Sequence, residues 1–300
     1  MERETWLLWL LADSQLPTGG FVASAGLEAA MQARLIRENA SETDSDSFIG
    51  FIRGSTHNQA RFALPFCSRA HDETMQLIGR VQSDVKDSAV KVVDTNAVDN
   101  AVEDAVNKAD EDAADSVATD VIDILQRIDD YHQTMLSSNS VAMRASTAQG
   151  GGLLSLFNRG YAHARFMDHT RGRLCVAIAK RLQRLARLGE MRAHWPVIFG
   201  FVCAAVGISI EHTQQLFMFQ FVRQIFSAAI RLNLVGPLRA QALQCDMQLA
   251  ASDLLEQHAH LRVAFDSPED VFGESAVYTE PVLELYQGMH DRLYSRIFNS

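Results

Sequence analysis

The sequence predicts an all-α protein, and two observations lead to that fold class. Apolar residues recur at spacings of three and four along most of the chain, whereas the alternation of a half-buried strand never persists. In addition, 300 residues with 47% hydrophobic content can bury a substantial core. We therefore expect one multi-helix bundle domain over residues 1–300, with no further domain.

The first predicted elements are a turn and the helix that follows it. Residues 17–20 read Pro-Thr-Gly-Gly, a run that indicates a turn. Arg34 and Arg37 stand near the expected end of the helix, where cations complement its dipole. The apolar stripe of this helix consists of Leu27, Ala30, Met31 and Leu35.

Three helices are predicted in the second half of the chain. One presents apolar residues from Leu174 to Leu188 on one face, and Gly189 is placed as its C-terminal stop. Residues 195–210 form the longest apolar stretch, which is too short and too often broken by Pro and Gly for a bilayer span, so we expect a core helix. Residues 208–235 are apolar around most of the circumference, which predicts either the centre of the bundle or a face covered by another subunit.

An acidic stretch from Asp84 to Asp123 carries most of the net charge. The chain has a net charge of −10, and this stretch holds 12 acidic residues and three lysines. Its apolar residues are small, so it can bury little area, and we expect a mobile, partly helical insertion that can be removed without loss of the fold. The nearly neutral remainder disfavours a dedicated nucleic-acid binder.

Motifs that would indicate chemistry are missing from the sequence. No GxxxxGK[ST] run is present, so neither the turn at residues 17–21 nor Gln149-Gly150-Gly151-Gly152 is expected to bind GTP, and both are interpreted as bends or tight packing points. The four cysteines are widely spaced, and we expect a reducing compartment, no signal peptide and no zinc site. The pairs His163 and His169, and His258 and His260, are interpreted as scattered histidines rather than a metal site.

Three separated segments resemble one family. The first comprises residues 10–21, LLADSQLPTGGF, and residues 24–29, SAGLEA. The second begins with His194-Trp195-Pro196 and continues through Arg231-Leu232 to Gly236 and Gln241. The third is the tail, residues 289–300, MHDRLYSRIFNS. Together they resemble the urease accessory protein F (UreF) family, although Leu234 and Pro237 stand where that family usually has proline and glutamine.

The resemblance implies a non-catalytic, cytoplasmic, dimeric chaperone that promotes nickel incorporation into urease. Its partners would be a UreD/UreH-like accessory protein, a UreG-like GTPase and the urease apoprotein, with no nucleic acid and no membrane. Nickel and GTP would be handled by the wider complex, with no cofactor bound directly by this chain. The positions that match the family motifs, and that the resemblance assigns to partner binding, are Pro17, Gly19, Gly20, Phe21, Gly26, Leu27, Glu28, Arg231, Gly236, Gln241, His290, Arg292, Tyr294, Arg296 and Phe298.

The tail is also expected on chemical grounds to be a docking element. Arg292 and Arg296 alternate with Tyr294 and Phe298, which are residue types found at interface anchors. So few apolar groups predict a tail that is loosely held until a partner orders it.

Two alternative functions remain open from the sequence. The first is a helical adaptor that binds RNA or an acidic surface through the basic stripe Arg173–Arg192. The second is an enzyme whose site is assembled from distant residues. Salt-sensitive retention on nucleic acid would favour the adaptor, and activity of the purified chain on a small substrate would favour the enzyme.

Overall fold

A computed structural model describes residues 2–13, 16–36, 42–76, 79, 100–264 and 276–300, with side chains left undescribed for 42–46 and 100–115. Within these ranges the chain contains helices and no strand, which confirms the all-α prediction. None of the described helices combines the length and apolar character that a bilayer span requires. The helices are α1 (Arg3–Ala12), α2 (Leu27–Gln32), α3 (Glu42–Asn58), α4 (64–76), α5 (Asn100–Met135), α6 (Ser140–Arg159), α7 (Thr170–Leu188), α8 (Trp195–Val206), α9 (Ile210–Arg231), α10 (Pro237–His258) and α11 (Pro281–Gly288).

Short segments of other helix types join or extend these helices. A π-helical segment, Gln59–Ala63, connects α3 to α4 without interruption. The 3₁₀ segments are Gly20–Val22, Tyr161–His163, Arg165–Met167 and Met289–Arg292.

Helix α9 connects two hydrophobic clusters. Its N-terminal half, with Leu216 and Phe217, joins a large cluster built from α1 and α4–α8. Its C-terminal half, with Val222 and Phe226, joins a second cluster with α2, α3 and α10. Most faces of α9 are buried within the chain, as predicted for a helix at the centre of the bundle, although Phe219 remains 42% exposed.

Helices α6 and α8 pack closely because glycine removes a side chain at their contact. A Cβ atom built on Gly150 would lie well inside van der Waals contact with the carbonyl oxygen of Ala193. Gly152 is pressed in the same way against the carbonyl oxygen of Thr18, whereas Gly151 faces open space. The interpretation of the glycine run as tight packing points is confirmed at Gly150 and Gly152.

Two predicted helix ends can be compared with the structure. Gly189 adopts φ +77° and its N–H donates to the carbonyl oxygen of Ala186, which confirms it as the stop of α7. The helix that begins at Leu27 is shorter than predicted, because it ends at Gln32 rather than near Arg37. There the N–H of Ile36 turns back toward the carbonyl oxygen of Ala30, which buries the Ile36 side chain.

The predicted insertion at 84–123 extends too far toward the C-terminus. Residues 84–99 lie outside the described residues, and residues 100–123 belong to helix α5. Ala118, Val121 and Ile122 are buried in the large cluster, so the expectation that the whole stretch is dispensable is wrong at this end. The period of its valines and isoleucine is that of a helix whose one face packs into the core.

Candidate docking site

The C-terminal tail folds back onto the segment that follows the N-terminal turn. Glu28, on α2, is 1% exposed and receives the tail with both carboxylate oxygens. Its Oε1 accepts a hydrogen bond from the N–H of Ile297 at 2.7 Å, and its Oε2 accepts one from the N–H of Phe298 at 3.1 Å. The Nε2 atom of His290, which is fully buried, lies 3.1 Å from the same Oε2.

A second set of hydrogen bonds fixes the last residues. The backbone N–H of Ser24 donates to the carbonyl oxygen of Ser300 at 2.6 Å, and the Ser24 hydroxyl donates to the same oxygen at 3.0 Å. The N–H of Asn299 donates to the carbonyl oxygen of Val22 at 2.9 Å. The predicted loosely held tail is therefore wrong, because the chain itself supplies the acceptors and donors that order it.

Arg231, at the end of α9, lies between two aromatic rings of the same region. Its guanidinium carbon is 3.9 Å from the ring centre of Phe21 and 4.3 Å from that of Phe298. Cations favour the faces of aromatic rings, so this stack contributes to holding Phe298, which is 2% exposed. We call the group Ser24, Glu28, Arg231, His290 and Phe298 the terminal clamp.

The terminal clamp leaves part of the tail on the surface. Tyr294 is fully exposed and Ile297 is 65% exposed. Arg296 and Arg144 both contact the carboxylate of Asp291, at 3.3 Å and 2.7 Å. The Arg144 hydrogen bond is the main cause that holds the pKa of Asp291 below its usual value.

The predicted partner-binding residues thus fall into three groups. Phe21, Glu28, Arg231, His290 and Phe298 converge at the terminal clamp, although they come from three distant parts of the sequence. Gly26 and Leu27 are buried beside it, and a Cβ atom on Gly26 would lie 3.0 Å from the Cβ of Gln287. The remaining predicted residues lie in turns, at the start of α10 or on the exposed tail, and these are Pro17, Gly19, Gly20, Gly236, Gln241, Arg292, Tyr294 and Arg296.

The departure from the family loop at Pro237 has a structural reason. Gly236 is the N-cap of α10, and Pro237 is the first residue of that helix. A proline at this position loses no helix hydrogen bond, because the first N–H groups of a helix have no partner within it. The missing donor therefore does not disturb the loop.

Another buried carboxylate, Asp129 of α5, was not recognised from the sequence. Its Oδ2 accepts hydrogen bonds from the N–H groups of Arg192 and Ala193, at 2.7 and 3.0 Å. Its Oδ1 accepts one from the N–H of His194 at 2.7 Å. Burial raises the pKa of Asp129 to about 6, against the three donors, which lower it. A signal was available, because Asp129 follows Leu125 by four residues on the apolar face of α5.

The His194 side chain extends this centre. Its Nε2 lies 2.9 Å from Oε1 of Gln133 and its Nδ1 lies 3.1 Å from the Ser146 hydroxyl. Burial lowers the pKa of His194 to about 4, so the ring is neutral at pH 7. The Ser146 hydroxyl also accepts a hydrogen bond from the N–H of Trp195 at 3.0 Å, which places these side chains at the start of α8. We call Asp129, Gln133, Ser146 and His194 the Asp129 centre.

A cavity of about 260 Å³ is lined by Ser146 of the Asp129 centre and by Trp195. Phe21 and Ser300, which neighbour the terminal clamp, also line it. His132 also faces this cavity, and burial holds the pKa of its imidazole well below the usual value. The described residues contain no group of three His, Cys, Asp or Glu side chains arranged to hold a metal ion.

The basic stripe lies where the sequence predicted it. Arg173, Lys180, Arg184 and Arg187 are exposed on α7. The hypothesis that this face binds RNA or an acidic surface stays a prediction.

Comparison with known proteins identifies the family. Residues 42–248 match the family model described as UreF. The chain belongs to the UreF family. It is 29% identical to urease accessory protein F of Oryza sativa subsp. indica over 304 residues, covering 99% of this chain and 85% of the rice protein. It is 28% identical to urease accessory protein F of Arabidopsis thaliana over 297 residues, covering 98% of this chain and 92% of the relative.

A fungal relative matches at similar strength. The chain is 27% identical to urease accessory protein 6 of Cryptococcus neoformans var. grubii over 328 residues, which cover 99% of this chain and 98% of that protein. These matches reach the two ends of the chain, which the family model does not cover, and so they include the terminal clamp. Membership of the UreF family supports an accessory role in urease maturation.

Proposed function

We propose that this chain is a non-catalytic urease accessory protein that bridges a UreD/UreH-like protein and a UreG-like GTPase and thereby promotes nickel incorporation into urease. The observation that carries the proposal is the terminal clamp. Three segments that resemble the UreF family in sequence meet there, around Glu28 and Phe298. Most of the clamp is itself buried, and it holds the exposed Tyr294 and Ile297 of the tail in place. The named relatives of the chain are urease accessory proteins.

The surface around the terminal clamp supports a protein partner. Leu285 of α11 is 70% exposed and Met289 is 43% exposed, and they precede the exposed Tyr294 and Ile297 in the tail. A contiguous exposed apolar patch is typical of a protein-interaction site, and these residues follow one another closely in α11 and the tail. We assign this face, the tail face (Leu285, Met289, Tyr294 and Ile297), to the UreD/UreH-like partner.

The remaining parts of the proposal follow from the family. The sequence lacks a P-loop, so GTP hydrolysis in the complex belongs to the UreG-like partner. The chain acts in the cytoplasm as a homodimer and binds no nucleic acid and no membrane. Nickel is the cargo of the assembled complex, delivered to the urease apoprotein.

The test is co-purification of the full chain with its UreD/UreH-like and UreG-like partners, followed by measurement of nickel in co-expressed urease. The variant changes the tail face at Tyr294→Ala and Ile297→Ser, both exposed, and the matched control is Leu249→Ser, an exposed apolar residue of α10. We expect the tail variant to lose the UreD/UreH-like partner and most of the nickel in urease, whereas the control keeps both. Retention of partner and nickel by the tail variant would show that this face does not dock.

A further inference from the structure

Arg231 carries a donor for which the described part of the chain supplies no acceptor. Its Nε donates to the carbonyl oxygen of Ser227 at 3.2 Å, but its Nη2 is buried and has no hydrogen-bond partner among the described residues. No carboxylate of the described residues forms an ion pair with it, whereas Arg144 and Arg262 each have an aspartate partner. A buried donor without a partner is destabilising, so its persistence needs an explanation.

The charge of Arg231 is partly but not fully compensated. It stands in the last turn of α9, where the helix dipole favours a cation. The rings of Phe21 and Phe298 add cation–π attraction. Neither effect supplies an acceptor for the edge of the guanidinium, and burial lowers its pKa, which shows that the cation is less favourable there than in water.

The two rings differ in exposure, and this difference gives the site a direction. Phe298 is 2% exposed, whereas Phe21 is 64% exposed and is therefore the ring that a partner can reach. A group that arrives from outside therefore meets the exposed ring of Phe21 first, and it reaches the buried Nη2 donor once that ring moves aside. A carboxylate is the side chain that matches a guanidinium, because two parallel hydrogen bonds can form.

We propose that Arg231 is the anchor for one carboxylate side chain of the UreD/UreH-like partner, received at the edge of the guanidinium between Phe21 and Phe298. This inference rests on the proposed function and names the chemistry of its docking contact. Arginine flanked by aromatic rings at the centre of an interface is a residue type that dominates binding energy. The partner carboxylate would satisfy the free donor, and the exposed ring of Phe21 would become covered.

The test measures the affinity of the full chain for the UreD/UreH-like protein with three variants. Arg231→Gln removes the charge, and Arg231→Lys keeps the charge but removes the planar fork. The control is Arg173→Lys, an exposed arginine of α7. We expect at least a tenfold loss of affinity for Arg231→Lys, a larger loss for Arg231→Gln, and no change for the control.

Two further measurements separate docking from local damage, because Arg231 also contacts Phe298. Hydrogen exchange of the Ile297 and Phe298 amides in the free chain reports whether the terminal clamp stays closed in each variant. A double-mutant cycle then combines Arg231→Gln with the partner's exposed Asp→Asn and Glu→Gln variants. Neutralising one partner carboxylate is expected to lower the affinity tenfold or more when Arg231 is present, and to cause no further loss in Arg231→Gln. This coupling between the two side chains does not depend on whether the terminal clamp is closed.

The outcomes distinguish the inference from the proposed function. If the Arg231 variants bind the partner as tightly as the parent chain, or if no partner carboxylate couples to Arg231, then Arg231 is not the anchor, and the proposed docking function still stands. If the parent chain does not bind the UreD/UreH-like protein at all, the proposed function is wrong and the anchor with it.

Discussion

The Asp129 centre and the terminal clamp each use a buried carboxylate to bind backbone N–H groups, but the donors come from different kinds of segment. In each, a buried carboxylate accepts hydrogen bonds from backbone N–H groups that no helix satisfies. The donors to Asp129 are the three consecutive residues that precede α8. The donors to Glu28 belong to a tail whose neighbours Tyr294 and Ile297 are exposed. We infer that the first carboxylate stabilises the whole fold and the second controls one removable segment.

The largest expected loss of stability tests whether the segment that binds Asp129, before α8, is rigid. Gly150→Ala would press a methyl group into the carbonyl oxygen of Ala193, and we expect a loss of about 3 kcal/mol or more in the free energy of unfolding. The control is Gly151→Ala in the same helix, which has open space and should be neutral or stabilising by up to about 1 kcal/mol. Urea denaturation of both variants is the measurement. Equal stabilities would mean that the α6–α8 contact can shift to accept a methyl group at little energetic cost.

The next effect tests Asp129 directly. Asp129→Asn replaces one acceptor oxygen by an amide that must face backbone donors, and we expect a loss of about 2–3 kcal/mol. Asp130→Asn, its exposed neighbour, should change stability by no more than about 0.5 kcal/mol. Thermal unfolding with both variants side by side decides this point, and two similar melting curves would contradict a structural role for Asp129.

How far the sequence predicts the two regions depends on where their partners lie. The pattern of Val121, Ile122 and Leu125 predicts a buried helix face. The acidic composition before it nevertheless placed the predicted end of the insertion at Asp123, too far toward the C-terminus. Residues of the terminal clamp were recognised by resemblance, since nothing local connects Glu28 to Phe298 across 270 positions. For Asp129 the sequence offers only its position on the apolar face of α5. Its hydrogen-bond partners cannot be predicted, because almost every residue has a backbone N–H group.

Substitution in the terminal clamp should loosen mainly the tail, whereas substitution at Asp129 should destabilise the whole fold. Glu28→Gln replaces one of the two oxygens that accept the tail, and we expect the Ile297 and Phe298 amides to exchange at least tenfold faster. The free energy of unfolding should fall by less than in Asp129→Asn. Gln32→Ala, which removes only the bond to the carbonyl oxygen of Ser295, serves as the milder control.

Hydrogen exchange followed by mass spectrometry of the tail is the measurement for Glu28. Unchanged protection in Glu28→Gln would show that Ser24 and the aromatic stack hold the tail without it.

The smallest expected effect comes from Glu4, a third carboxylate that accepts a backbone N–H but lies at the surface. The N–H of Ser209 donates to its Oε1 at 2.8 Å, and this bond is the main cause that lowers the pKa of Glu4 to about 2. A lowered pKa in the folded state stabilises the fold above the unfolded value of 4.5, and that contribution is lost as the pH falls toward 2. Glu4→Gln should therefore make the melting temperature less dependent on pH between about 5 and 2.

The Glu4 contribution should be modest, because the side chain is partly exposed and solvent screens its charge. Thermal melts of the parent and Glu4→Gln at several pH values are the measurement. Parallel pH profiles would show that Glu4 does not link α1 to α9 as a carboxylate.

The terminal clamp also sets an order of events during synthesis. Glu28 emerges from the ribosome early, but the N–H groups that it accepts belong to residues made about 270 positions later. Until then its carboxylate stays in water and α2 lacks the contacts that bury it. Since chains grow at roughly 5–20 residues per second, the N-terminal segment waits about 10–50 s before it can close. The terminal clamp can form only on chains translated through residue 298, so a shortened product would carry the bundle without the docked tail.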